Sequence, residues 1–280
     1  MGNDSRGPWA TELNNFVRAF SGAYIFGIPL LFTMEMWWIG EYANRWKVIA
    51  FLAIAVIANL GLNYAAGFKN KRSIGVAIEE TIDAVAVGVI AALMMLVVLN
   101  RINPSDPLDS MVGMVMIQAV PLSIGASVAN EVFGWQGEKG RQGENHDGHL
   151  KPWQELFSDI GATAIGGVFI GFSIAPTDEV QMLAAGLGYY HLMALVAFTL
   201  LLSYGIVFAS GFDQRQPEGL FQRPATETAL AYVVSLLVAF VTLFLFDQIQ
   251  LNDPLRSTFE QVLVLGVPTT VGGAAGRLVV

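Results

Sequence analysis

The chain contains no cysteine. That excludes disulfides, thiolate metal sites and cysteine nucleophiles. Its three histidines are too few for a histidine-rich metal site. Charge is scarce as well: 14% of the 280 residues are charged, where a soluble domain carries about 25%. No HExxH, GxSxG, P-loop or dinucleotide-binding fingerprint occurs, so no enzyme activity, metal or cofactor is expected. No nucleophile–base pair stands out for an intramembrane hydrolase. No lysine lies mid-span to carry a Schiff-base chromophore. The one basic stretch, GFKNKR at 67–72, reads as a cytoplasmic anchor and not as a nucleic-acid site. The polar start, MGNDSRGPWATELNN, lacks a short apolar core with a cleavage site, so the first apolar segment is expected to stay as a helix.

What the chain does have is apolar length. Hydrophobic residues make up 54% of it, in several runs that reach the roughly 20 residues needed to cross a bilayer. The expected class is an all-α integral membrane protein. Eight spans are expected, at about 16–38, 46–67, 79–100, 110–133, 156–176, 181–209, 226–247 and 258–279. With both termini cytoplasmic, eleven Lys and Arg fall inside and four outside, as the positive-inside rule requires. Making the 110–133 and 258–279 segments re-entrant would give six spans and erase that bias.

The sequence also repeats. DPLDSMVGMVMIQAVPLSIG at 106–125 returns as DPLRSTFEQVLVLGVPTTVG at 253–272, 147 positions on, with eight identities in twenty. PWATEL at 8–13 echoes PWQEL at 152–156, and GLNYAAGF at 61–68 echoes GIVFASGF at 205–212, both 144 positions on. Self-similarity of this length points to duplication. Residues 7–134 and 152–280 read as two parallel four-helix repeats joined by a cytoplasmic linker loop at 135–151. Four spans per copy is an even number. The copies therefore share an orientation and are expected to be related by a pseudo-twofold axis along the membrane normal.

Candidate functional residues follow from that plan. Asp106-Pro107 and Asp253-Pro254 fit a helix start, with Asp as N-cap and Pro at the first helical position. Pro121 and Pro268 fall mid-span, where each leaves a carbonyl, of Ile117 and Val264, without its helical donor. Such carbonyls are packed into a kink or line a cavity. Two of them at the midplane, with the Gln118 side chain, would suit a dehydrated cation. Gly125/Ala129, Gly272/Gly276 and Gly167/Gly171 have the small-xxx-small spacing of close helix contacts. Glu35, beside Trp37 and Trp38, matches Asp178 and Glu179 in the second copy, and all fit an interfacial belt. Glu79, Glu80 and Asp83 begin the third span, and Glu227 is the mate of Glu80; the helix dipole would favour acids there. With Glu131 they alternatively form a carboxylate mouth for cations or protons. His191 is the sole histidine within a span.

In its FTMEMWWIG segment and duplicated eight-span plan, the chain resembles a family of bacterial integral membrane proteins of unknown function. That resemblance implies the inner (plasma) membrane and no particular activity. Locally, RAFSGAYIFGIPLLFTMEM at 18–36 and LFSDIG at 156–161 resemble the Phe-Ser-Asp first helix of the endolysosomal potassium-channel family. The likeness implies pore-lining roles for Phe20, Ser21, Phe157, Ser158 and Asp159. Gly22 stands in place of the Asp in the first copy. Two readings stay open. One is a cation-permeation protein, channel or proton-coupled carrier, with its path between the repeats and an inorganic cation or proton as partner. The other is a non-transporting scaffold, accessory or lipid-binding protein. Membrane lipid and a second copy are further expected partners.

Overall fold

The computed structural model describes residues 8–70, 74–143, 152–209 and 224–278, and every regular element among them is a helix. In chain order these are α1 (Pro8–Leu31), α2 (Met34–Tyr42), α3 (Arg45–Asn70), α4 (Ile74–Val98), α5 (Leu108–Gly143), α6 (Pro152–Ile174), α7 (Glu179–Gly186), α8 (Tyr189–Tyr204), α9 (Pro224–Leu245) and α10 (Leu255–Arg277). A single π-helical turn, Gly205–Ala209, extends α8.

Six of these helices are long and apolar enough to cross a membrane by themselves: α3, α4, α5, α6, α8 with its π turn, and α9. The other two expected spans differ for separate reasons. The first apolar run breaks after Leu31, and α2 leaves α1 at 88°. Pro29 sits in the last turn of α1, and the Thr33 hydroxyl donates to the Pro29 carbonyl at 3.0 Å. The run expected at 181–209 is likewise divided, into α7 and α8. α10 is continuous but rich in Thr and Gly, and every residue from Gln261 to Ala274 is buried. A helix covered on all sides needs no lipid-grade surface. α5 runs on to Gly143, so the segment read as a linker begins as helix.

Each half is built around its fourth long helix. α5 is packed against α1, α2, α3 and α4, and α10 against α6, α7, α8 and α9. The heaviest contacts are α1 on α5 and α6 on α10. Small residues permit both. A methyl added at Gly22 would lie 2.0 Å from Ala129 Cβ, and one at Gly166 would lie 2.1 Å from the Gly272 carbonyl oxygen. Gly22 and Gly166 are 144 positions apart, and Gly125 and Gly272 are 147 apart.

Finer details recur at the same spacing. Among the described residues, Asn100 and Asp247 are the two non-glycine residues with positive φ, at 55° and 57°. Each ends a helix with the same bond, Arg101 N–H to the Leu96 carbonyl and Gln248 N–H to that of Leu243. The Asp-Pro pairs differ from expectation in an identical way. Asp106 Oδ2 accepts from Asn103 N–H at 2.8 Å and Asp253 Oδ2 from Gln250 N–H at 2.7 Å. The carboxylates close the preceding turn instead of capping the helix, each satisfied locally by the backbone N–H three residues earlier.

The two halves share one continuous core, joined on one side among the described residues. The Tyr24 ring of α1 meets Phe198 of α8 edge-on at 5.6 Å. Gly205 of the π turn faces Val17 and Ser21 of α1. Asn100 donates to the Gly186 carbonyl at 3.0 Å. A twofold relation would require α6 to pack on α3 in return. Among the described residues no comparable packing of α6 on α3 is present.

Candidate functional site

The charge cluster that the fold assembles lies at one end of the second half. Arg277, on the last turn of α10, donates to Glu227 Oε2 at 2.5 Å and lies 3.4 Å from Asp159 Oδ2. Its side chain is 5% exposed, against 20% for Asp159 and 16% for Glu227. The three come from three helices, α10, α6 and α9, that meet because glycines on α6 and α10 let the backbones close in. The Arg277 guanidinium stands 5.7 Å from the Phe208 ring. Its Nε is buried without a hydrogen-bond partner among the described residues. Beside these groups is a cavity of about 20 Å³ lined by Asp159, Thr163, Glu227, Arg277 and apolar residues of α6 and α9. That is room for about one water. Buried charge within membrane helices is costly and marks ion or proton routes more often than packing.

The remaining sequence candidates are scattered. Glu80 is half-buried, whereas Glu79 and Asp83 are exposed on α4. α4 begins at Ile74, so these acids sit beyond its first turn and the helix-dipole explanation does not reach them. Glu227 does lie in the first turn of α9. At the opposite end, Glu35 and Asp178 are exposed. Glu179 is buried and accepts from Met34 N–H at 3.4 Å, across the two halves. The side chain of Glu131 lies outside the described residues. Trp37 is no interfacial anchor: it is fully buried, donates to the Leu31 carbonyl at 2.9 Å and lies under Arg101. Trp38 is exposed.

The two mid-span prolines are not brought together. α5 and α10 continue through Pro121 and Pro268, and each is enclosed by its own half. Ile117, Val264 and Pro268 are buried and Pro121 is partly so. Gln118 is fully buried; its Nε2 donates to the Leu30 carbonyl at 3.4 Å and its Oε1 has no partner among the described residues. Of the residues implied by the potassium-channel likeness, Phe20 stacks on Phe16 and meets Tyr24 edge-on. Ser21 is fully buried, its hydroxyl without a partner among the described residues, Phe157 is exposed, and Asp159 is on Arg277.

Sequence reasoning missed a buried polar seam in the first half. Asn59 of α3 donates to Ser123 Oγ at 2.9 Å and accepts from Ser127 Oγ at 2.8 Å, both on α5. One turn on, Asn63 donates to Thr81 Oγ1 of α4 at 3.1 Å. The signal was present: two asparagines four apart share one face of an otherwise apolar helix. Arg277 was also missed as a site residue, because a cation near the end of a span reads as a topology signal.

An all-helical chain with several bilayer-length apolar helices and buried ion pairs defines a multi-pass integral membrane protein. Over residues 15–280 it matches the family described as "Putative integral membrane protein (DUF2391)", and the chain belongs to that family. No curated protein and no solved structure matches it.

Proposed function

We propose that the protein conducts or exchanges an inorganic cation or a proton across the bacterial inner membrane. In this reading it has eight spans in two parallel repeats and both termini in the cytoplasm. α1 with α2, and α10, complete the eight. The recurrence of Asn100 at Asp247, of the Asp106 turn at Asp253 and of the Gly22–Gly125 crossing at Gly166–Gly272 supports the duplication. The one-sided joint between the halves argues for a rotation other than a twofold within one chain.

The observation that carries permeation is the Asp159–Arg277–Glu227 cluster with its water-sized cavity. Two carboxylates held on one guanidinium can trade that partner for a proton or a cation, and low dielectric makes the exchange sensitive to charge. Glu80 occupies the matching place in the first repeat. The test is ion flux through purified protein in liposomes under potassium, sodium, calcium or proton gradients, with an indicator dye inside. Selective flux that falls in a folded Glu80→Gln/Glu227→Gln variant is the expected result. No flux from folded protein would turn the reading to the scaffold or lipid-binding alternative.

A further inference from the structure

We infer that the chain pairs with a second copy of itself, and that α6 of each copy docks on α3 of the other to close a homodimer of four repeats. The inference rests on the two-repeat reading and not on what crosses the membrane. Its starting point is the one-sided joint within the chain. There, α1 of the first repeat meets α8 and the π turn of the second. Gly205 lies in that contact: a methyl on it would be in ordinary van der Waals contact with Val17 Cγ1 at 3.6 Å and Ser21 Oγ at 3.9 Å. Ser21 and Tyr24 on one side, and Leu195 and Ile206 on the other, are fully buried.

The same positions on the other two helices are uncovered. The mate of Gly205, 144 positions back, is Gly61 of α3; the mate of Val17, 144 on, is Gly161 of α6. At both glycines an added methyl would meet nothing within 4 Å. The mate of Ser21 is Ile165, 74% exposed, and those of Phe198 and Ile206 are Ile54 and Leu62, 57% and 38% exposed. Exposure to lipid alone would not select a partner, since any membrane helix shows an apolar face. The register does select one. The helix positions that form both halves of a joint already in the chain recur, unused, on α3 and α6, with Gly205 kept as Gly61 and the mates of Val17, Ser21, Phe198 and Ile206 small or aliphatic. A head-to-tail interface leaves one complementary face at each end, and such interfaces close into a ring when the rotation between neighbours allows it and otherwise run on as an open array; here two copies close the ring. Two copies supply two further joints, Gly61 of each against Gly161 of the other. Paired glycines give the close backbone approach on which helix association in lipid depends.

The absence of cysteine makes the test direct. Gly61→Cys and Gly161→Cys are introduced singly and together, and membranes are oxidised before solubilisation. On a denaturing gel the doubly substituted chain should run mainly at twice its mass, while each single variant runs at the mass of one chain because like positions do not face one another. In parallel, the mass of the unsubstituted protein in lipid nanodiscs should be that of a dimer. A monomer in nanodiscs overturns the inference, as does cross-linking in either single variant or a ladder beyond the dimer. Flux from the same unsubstituted sample reports on permeation separately, so the two readings fail independently.

Discussion

The two halves resolve buried polarity in different ways on one helical plan. In the first, α5 is tied to α3 by neutral groups, Asn59 with Ser123 and Ser127. At the matching places in the second half stand Ser203, Thr270 and Ala274. Thr270 there only returns its hydroxyl to the Gly266 carbonyl of its own helix. The second half has a neutral cross-link, Thr269 Oγ1 to the Ser235 carbonyl at 3.1 Å, and adds ions, Arg277 with Asp159 and Glu227, where the first has Asn130, Asn15 and Glu80. The backbone crossing is common to both, so it sets the geometry. The polar cross-links are separable from it and differ between the halves.

This contrast can be broken in order of expected effect. Arg277→Gln would leave two part-buried carboxylates without their guanidinium, and should cost about 2–3 kcal/mol, less than a fully buried pair would. It would be read as a lowered midpoint of thermal unfolding in detergent. Adding Asp159→Asn should recover part of the loss, and no recovery would mean that Arg277 acts mainly through packing. Next come the crossings. Gly166→Ala and Gly22→Ala each force a methyl into a neighbouring helix and should each cost about 1–3 kcal/mol. Equal costs would show that one contact geometry serves both halves; a cost at one site alone would separate them. Asn59→Ala removes both α3–α5 cross-links and should cost about 1–2 kcal/mol. Ser203→Ala at the matching place should cost distinctly less, and the reverse order would put the polar tie of the second half where none is now seen. Smallest is Arg45→Ala. Its pair with Asp109 has both side chains more than three-quarters exposed, and its loss should change stability by less than about 0.5 kcal/mol.

The sequence shows the helical class and the recurring stretch plainly, because both depend on patterns longer than any one contact. The close crossings at Gly125 and Gly272 were legible for the same reason. The break at Phe32–Thr33 was not: the residues around it are apolar, and only their burial against α5 reveals that α2 turns aside. Trp37 shows the same limit. Beside Trp38 and Glu35 it reads as an interfacial anchor, yet tertiary packing folds it inward. For the candidate site, acids were visible as a set but not as a geometry. Glu227 has a partner fifty residues along the chain, and no local spacing discloses it. Asp159 entered only through a family likeness.

The burial of α10 bears on how the protein is made. A segment with Thr269, Thr270 and three glycines at its heart partitions weakly into lipid by itself. It follows α6 to α9 in synthesis, and these must already stand in the bilayer to receive it. Their inward faces then act as its solvent. The helix that holds the second half together is thus a late guest, admitted by helices that preceded it.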